Sequence, residues 1–591
     1  GGFFYDLQFV DPDMVVAPDR FKAITKHMVK AMKGSPAFER LELDHDMARD
    51  MFAYNPKKLE MIDKLVRAGE RSGSPAVLTA YRCGSFVDLC RGPHVPHAGY
   101  LNKGAKVLHA NSVNDGAEQR VYGITFPDKA QLQDWTARTE EAAKRDHRLI
   151  GKKQQLFMFH ATSPGSAFML PHGTIIFNRL QTMLRDMYKQ RGYQEVMTPL
   201  IYSSALWEQS GHLANYRENM YRVVEHDCQG HGAPHSHGGE GVEHAEEEVG
   251  LKPMNCPGHC IIFAQSTKSF RDLPVRLADF SALHRNEVSG SLGGMTRLRK
   301  FHQDDAHIFC QPDQIDEEIR ECLSFIQRVY HDLFNFKITL RLSTRADNKF
   351  IGEAEEWVHA EDTLKSVLNS TGLGWELDPG EAAFYGPKID CSITDALGRQ
   401  HQCATIQLDF QLPKRFELEY TSSGGERKRP VMIHRAILGS LERFLAILIE
   451  HTNGKLPFWL SPRQVMIIPV DAETHGAYAA QVMAALEQAC QVDADSGEFL
   501  SNNSAAGLMV EVDDSHQTLS KRVRNAQQAP FNAIVVVGSE EASTQSVTVR
   551  SNDGTIIRKL PLAEFAQECR NTLYHRNNAV FPCSAEADST N

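Results

Sequence analysis

At 591 residues, with 42% hydrophobic and 24% charged residues, the chain has an ordinary globular composition and room for three or four domains. Its net charge of −11 is the wrong sign for a bulk nucleic-acid binder, so any such activity would have to come from a local basic surface. No apolar run approaches the roughly eighteen residues of a membrane helix, and the opening GGFFYDLQF has no basic n-region or cleavage site.

Twelve cysteines are scattered without a disulfide-like framework, which predicts a soluble intracellular protein in a reducing compartment, cytoplasm or organelle matrix. In chain order, residues 1–125 mix short apolar runs with loops, and their chemical focus is FVDLCRGPHVP, where Asp88, Cys90 and His94 are placed to converge. A buried Cys and a structural His beside a proline turn are the plainer alternative. The charged stretch 127–151 has little apolar face beyond Leu132, Trp135 and Leu149 and predicts a polar helix between domains, a linker over 126–155. From Gly173, the residues Ile176, Leu180, Met183, Leu184, Met187 and Tyr188 form one helical stripe that gives way to a short strand ending at Pro199.

Between Glu225 and Gly250 lies an acidic, His-rich insert. Seven of its side chains (Glu225, Asp227, Glu240, Glu243, Glu246, Glu247 and Glu248) are acidic and none is Lys or Arg; without them the balance of −11 becomes −4. His-rich tracts can bind metal, but the glycines and unbroken acidity favour a solvated loop. Near the end of the central domain, PVMIHRAILGSLERFLAILIEH predicts a strand running into a helix, with Ile437, Leu441, Phe444, Leu445 and Leu448 at helical spacing. Beyond Pro462, strand-like QVMIIPV, NAIVVVG and QSVTVRS alternate with helical patterns, predicting a separate α/β domain over 461–576 and a disordered tail over 577–591.

The densest chemistry lies between Leu251 and Cys310. Arg285 precedes a Gly- and Ser-rich turn, and Arg297 and Arg299 follow it, as in two antiparallel strands joined by a mobile loop. Guanidinium forks converging on one spot suit a polyphosphate better than a surface salt bridge.

The run HRNE…GGMTRLRKF resembles the motif 2 hairpin of class II aminoacyl-tRNA synthetases. Together with PMNCPGH, QDDAHIF, FYGPKID, QCATIQLDF and VMIHRAILGSLERF it is similar to the threonyl-tRNA synthetase family over nearly the whole chain. The resemblance implies a multidomain α+β protein. Its centre would be a class II antiparallel sheet flanked by helices over 156–460, including the insert 225–250. The C-terminal α/β domain would bind the anticodon, and residues 1–125 would be a partial editing domain. The 173–199 segment resembles motif 1, the family's dimer-interface helix and strand, although an amphipathic core helix has the same periodicity. Asp88, Cys90 and His94 resemble half of an editing site for mischarged seryl-tRNA. The other half, a His-x-x-x-His pair, lies in the family upstream of the GGFFYD-like segment, so a truncated or processed form with impaired editing is expected.

The same resemblance implies a threonine–tRNA ligase using ATP, L-threonine and threonine tRNA, dimeric through its catalytic domain. Cys256, His307 and His434 show no finger-type spacing, yet they fall where the family carries its zinc ligands. Three protein ligands for one zinc per chain would leave an open position for threonine's amino group and hydroxyl. Asp305, Gln303, Tyr385 and Gln407 would complete the threonine pocket. A hydroxyl-seeking metal would reject valine, which an apolar pocket discriminates by only about a hundredfold; serine lacks only a methyl and would leak through. For ATP with Mg2+, Arg285 would hold the α-phosphate and Arg297 the γ-phosphate, Glu287 would read the adenine amino group, and Phe301 and Arg443 would stack on the base. His212 matches the histidine that assists transfer to tRNA. Arg522, Glu541 and Arg550 fall where the family contacts anticodon bases. The rivals are another class II synthetase, such as the prolyl or seryl enzyme, a non-catalytic tRNA-binding paralogue, and a zinc hydrolase, for which no His-Glu-x-x-His helix is present.

Overall fold

Antiparallel pairing around the strand Lys300–Cys310 sets the architecture that matters for function. The computed structural model describes residues 2–9, 11, 14–72, 77–101, 104–113, 118–223, 248–346, 350–490, 507–576 and 578–582. The chain divides into two units, Gly1–Ala143 and Lys144–Asn591.

In the first unit one three-stranded sheet runs Gly2–Leu7, Glu118–Phe126, Gly104–Val113, and a second runs Phe38–Leu43, Leu78–Cys83, Phe86–Leu89. A small core of Leu43, Ala48, Phe52, Ile62, Leu78 and Ala80 forms where helices His45–Met51 and Pro56–Ser72 cover the second sheet. The helix Lys129–Lys144 closes the unit, with Trp135 against Phe126 at 6.1 Å.

In the second unit nine strands form one sheet. Its order is Trp375–Asp378, Lys337–Ser343, Lys388–Thr394, Gln400–Asp409, Val431–Ser440, Lys300–Cys310, Val275–Asp279 and Gln194–Glu195, with Ala282–His284 paired to the start of Lys300–Cys310. The central pairings are antiparallel, and the outermost at each end are parallel. Because alternate residues leave a strand on the same face, register decides which side chains meet. The register sets Leu277, His307, His434, Gln407 and Lys388 in one cross-strand row, and Asp279, Asp305, Ala436 and Thr405 in a neighbouring row.

The helix Pro171–Gln190 buries Ile176, Leu180, Met183, Leu184 and Tyr188 beneath this sheet, so the sequence's apolar stripe is used as core within the chain. Strand Val431–Ser440 passes directly into helix Leu441–Thr452, whose start is capped by Ser440 accepting from the Arg443 backbone N–H at 3.2 Å. The C-terminal region is a five-stranded sheet ordered Val510–Val512, Val465–Pro469, Ala533–Val537, Ser546–Ser551, Ile557–Pro561, parallel for the first three strands and antiparallel beyond.

The structure differs from the sequence reading in several places. The predicted polar linker is two helices, Lys129–Lys144 and His147–Gln154, because Asp146 caps a new start by accepting from Arg148 N. Ile437 lies in the strand and not in the helix that follows. Part of the predicted tail is packed: Ala579 O accepts from Phe458 N at 2.8 Å, and Val580 O from Asn532 Nδ2 at 2.7 Å. The His-rich insert, apart from residues 248–250, lies outside the described residues.

Candidate active site

Two adjoining cavities open on the central strands. The first, about 310 Å³, is walled by Cys256, Gln303, Asp305, His307, Tyr385, Gln407 and His434 among others. The second, about 330 Å³, is walled by Glu287, Arg297, Phe301 and Arg443 beneath the loop that follows Ala282–His284. Arg285 and Gln303 belong to both walls.

The first cavity owes its floor to the register. His307 and His434 are direct cross-strand partners, and Cys256 enters from above as the first residue of helix Cys256–Ala264, where Pro257 suits the first turn. All three are buried, and their ligand atoms lie within 4.8 Å of one another. Their outer partners suit a metal. His434 Nε2 donates to Asp409 Oδ2 at 2.8 Å, and His307 Nδ1 lies 2.7 Å from His259 Nδ1, which leaves His434 Nδ1 and His307 Nε2 to face an ion. His259 leads on to Asp279, 3.9 Å from its Nε2, and Asp279 lies 3.7 Å from the buried ammonium of Lys252. Burial works to raise Asp279, but the nearby His259, hydrogen bonds from Ser281 and Thr198, and the charge on Lys252 hold it well below the usual carboxylate range. Burial and the nearby Asp305 push the Cys256 thiol well up, while burial and His434 hold the His307 imidazole well down. A divalent cation is the partner that would reverse the thiol's preference.

Around this trio, Asn255 Nδ2 donates to Asp305 Oδ2 at 3.1 Å. The Tyr385 hydroxyl donates to Gln407 Oε1, and the Tyr385 ring stacks on His434 at 4.9 Å. Burial raises the Asp305 carboxyl against the opposing pull of His259 and His434. Alternation along the strand lets Gln303 and Asp305 both reach the cavity wall while Asp304 turns into the core, opposite a bulge of the partner strand between Ala436 and Ser440. There Asp304 accepts from Ile437 N at 2.7 Å and Leu438 N at 2.9 Å and faces Arg435 at 3.6 Å. Arg435 is fully buried, 4.5 Å from the Tyr188 ring and 4.4 Å from that of Tyr193.

In the second cavity the Arg285 guanidinium lies 5.0 Å over the Phe301 ring and 5.8 Å over Tyr216. Arg297 pairs with Glu287 at 2.8 Å, and since Arg297 is 56% exposed this is a weak bond that a phosphate could displace at little cost. Arg443 Nη1 donates to Thr296 O at 3.1 Å. Arg299 does not join them. It props the loop, donating to Glu287 O at 2.9 Å and Ser289 Oγ at 3.2 Å, so two of the three arginines around the turn reach the cavity.

Other sequence candidates fare differently. His212 is fully buried, 0% exposed, and stands outside both walls. Its Nδ1 lies 2.8 Å from Ser210 Oγ and its Nε2 3.8 Å from Cys256 Sγ, and burial with the nearby His434 holds it down to about 3. Such an imidazole is a poor proton acceptor near neutrality. In the first unit Asp88, Cys90 and His94 do not converge on one another among the described residues. Asp88 accepts from Tyr5 at 2.8 Å and pairs with Lys58, the Cys90 backbone pairs with Thr79, and the His94 ring packs against Phe38 at 5.0 Å and Tyr81 at 4.3 Å. In the C-terminal region Arg522 is 3% exposed and donates to Asp513 O and Val470 O at 3.0 and 3.1 Å. Glu541 accepts from Gly538 N and Thr548 Oγ1, both at 2.9 Å. Arg550 lies on the strand Ser546–Ser551 with its Nε buried. Base contact by Arg522 or Glu541 would require those internal bonds to open.

Sequence reasoning missed His259, Asp409, Asp279 and Lys252. His259 is three residues from Cys256 on one helix and Asp409 two from Gln407 on one strand, so same-face spacing could have flagged both; nothing local marks Asp279 or Lys252.

Comparison with known proteins agrees with this geometry. Residues 241–452 match the tRNA synthetase class II core domain (G, H, P, S and T), 464–572 the anticodon binding domain, and 78–122 the threonyl and alanyl tRNA synthetase second additional domain. The chain is 46% identical over 96% of its length to "Probable threonine--tRNA ligase 1, cytoplasmic" of Dictyostelium discoideum, spanning 74% of that protein. It is 47% identical over 94% of its length to threonine–tRNA ligase 2, cytoplasmic, of Homo sapiens, spanning 64% of it. A solved structure titled as the RNA binding domain of threonyl-tRNA synthetase from Cryptosporidium parvum superposes with a TM-score of 0.64 at 45% identity, covering 73% of this chain and 98% of that one. With a metal-competent trio, an arginine-walled cavity beside it and relatives of this similarity, the chain belongs to the threonyl-tRNA synthetase family of class II aminoacyl-tRNA synthetases.

Proposed function

We propose that the chain is a threonine–tRNA ligase that activates L-threonine with ATP and transfers it to the 3′-terminal adenosine of threonine tRNA. The observation that carries this is the shared wall of the two cavities. Arg285 stands where an amino acid in the first and a nucleotide in the second would meet, the place where a carboxylate must reach the α-phosphorus. Arg285 then neutralises charge on the α-phosphate, and Arg297, released from Glu287, takes the γ-phosphate; Glu287 becomes free to accept from the adenine amino group. Phe301 offers one face for the base and Arg443 the other. Catalysis is positioning and electrostatics, which suits a site without an obvious nucleophile. Mg2+ accompanies ATP as the phosphate counter-ion in this reading.

Zinc held by Cys256, His307 and His434 would supply an open coordination position that favours an amino acid bearing a β-hydroxyl. Asp305 accepts from the amino group, and Gln303, Tyr385 and Gln407 close the pocket by hydrogen bonding. His212, neutral and buried behind Cys256, acts in the transfer step only if tRNA binding uncovers it. Homodimerisation through the catalytic domain is favoured by the apolar edge following Gln194–Glu195, where Met197 is 89%, Leu200 43% and Ile201 50% exposed. The relatives' names place them in the cytoplasm, and we assign the chain there too.

The test is amino-acid-dependent pyrophosphate exchange with threonine, serine, valine and proline, alongside metal analysis. Threonine-led exchange with about one zinc per chain is expected. No exchange with any amino acid, from folded protein holding its metal, would turn the assignment to a non-catalytic tRNA-binding paralogue.

A further inference from the structure

We propose that His147 is a positioning residue for the nucleotide cavity, holding the turn before Arg297 through the backbone of Met295. This rests on the ligase reading above and adds to it a residue outside both cavity walls. His147 opens helix His147–Gln154 and is 4% exposed. Its Nδ1 lies 2.6 Å from Glu450 Oε1, and the same carboxylate oxygen accepts the His147 backbone N–H at 3.2 Å. Its Nε2 accepts the Met295 N–H at 3.1 Å. A carboxylate cannot donate and a backbone N–H cannot accept, so Nδ1 carries the proton and Nε2 the lone pair. Glu450 fixes that tautomer and is itself held by Arg399 Nη2 at 2.6 Å.

The turn is fitted to the ring. Gly294 has φ +62, and a Cβ there would come within 2.4 Å of His147 Nε2. Met295 is 0% exposed, Thr296 O receives Arg443 at 3.1 Å, and Arg297 follows. The stretch Gly294–Thr296 is therefore gripped from two helices, by His147 and by Arg443, one residue before the arginine assigned to the γ-phosphate. Asp146, His147 and Glu450 also lie close enough to bracket an ion. However, Asp146 is forked onto Arg148 at 2.5 and 3.0 Å, and both His147 nitrogens are engaged, so the cluster is a strut.

The test is His147→Asn in the full chain. The asparagine amide reaches the position of Nδ1 and keeps the bond to Glu450, but offers nothing to Met295 N–H. Pyrophosphate exchange should show the KM for ATP raised about tenfold or more, with the KM for threonine within about twofold of the parent. Hydrogen exchange at the Met295 amide should be faster without ATP, and His147→Gln, which can place a carbonyl near Nε2, should recover part of the loss. If His147→Asn does not fold, Gly294→Ala, which pushes the turn off the ring, should give the same split. A parent active with threonine and a variant with unaltered ATP KM, or with both KM values raised equally, would overturn the inference alone. A parent inactive with every amino acid would overturn it together with the ligase reading.

Discussion

Asp409 accepts a 2.8 Å hydrogen bond from Nε2 of His434 and thereby turns the other ring nitrogen toward Cys256 and His307. The same carboxylate is anchored by Gln411 N at 2.6 Å and Leu412 N at 3.1 Å through its second oxygen. Orientation of a ligand imidazole by a fixed carboxylate governs metal retention as much as the ligand itself. Asp409→Asn is expected to weaken zinc about 10–100-fold in a chelator competition, without loss of fold. Cys256→Ser should lower zinc content and threonine activation together. Parent-like activity in metal-free Cys256→Ser protein would refute the pocket.

Arg285→Ala should lower threonine-dependent pyrophosphate exchange by about 10²–10³-fold, the scale of losing a preorganised donor at developing charge. Arg285→Lys should recover little, because a point charge cannot replace the planar fork. Zinc content should not change in either, and an Arg285→Ala protein exchanging at the parental rate would remove the residue from its assigned place.

Selectivity should be steep against valine and shallow against serine. With a hydroxyl-seeking pocket, valine lacks the required group, whereas serine gives up a methyl worth about 1–3 kcal/mol, or roughly 10–200-fold in kcat/KM. Comparable rates for valine and serine would mean that the pocket reads shape alone.

Acid stability should depend on Asp395. Burial works to raise its pKa, but hydrogen bonds from His401 and Arg399 outweigh it, and the carboxyl is held well below the ordinary range. A carboxyl with a lower pKa folded than unfolded stabilises fully above its unfolded value, near about 4, and loses that contribution as pH falls toward its folded value. Melting temperature should therefore drop on acidification below about pH 4 in the parent, and less steeply in Asp395→Asn; identical slopes would show that this site is not responsible.

Arg522→Ala should act first on stability. Its guanidinium satisfies Asp513 O and Val470 O inside the C-terminal region, and truncation strands them at about 1–3 kcal/mol. Urea melts should register the loss, whereas a variant of parental stability with weakened tRNA binding would restore Arg522 to the anticodon surface.

The sequence was most informative where chemistry is concentrated in strands. Cys256, His307 and His434 were recognisable from their company in the motifs, and period-two register then brought the two histidines side by side. The residues that the resemblance assigns to ATP share one cavity wall, but their state was not legible in the sequence: nothing local says that Arg297 rests on Glu287 or that Arg299 serves the loop. His212 shows the limit. The family resemblance assigns it to proton transfer, yet its burial comes from Trp207, Phe384 and Tyr385, residues spread over more than 170 positions. The break at Asp146 was visible in principle as a capping residue ahead of a helical run, and the composition of 127–151 as a whole masked it.

The unbroken alternation of Lys300–Cys310 has a consequence for how such a site can change. Phe301, Gln303, Asp305 and His307 stand at every second position, so one face of one strand serves both the nucleotide side and the metal side. The irregularity opposite Asp304 belongs to the partner strand, where Ile437, Leu438 and Gly439 span the step between Ala436 and Ser440. The two halves of the site are thus locked in phase, and a one-residue insertion between Phe301 and His307 would take one of them off the shared face.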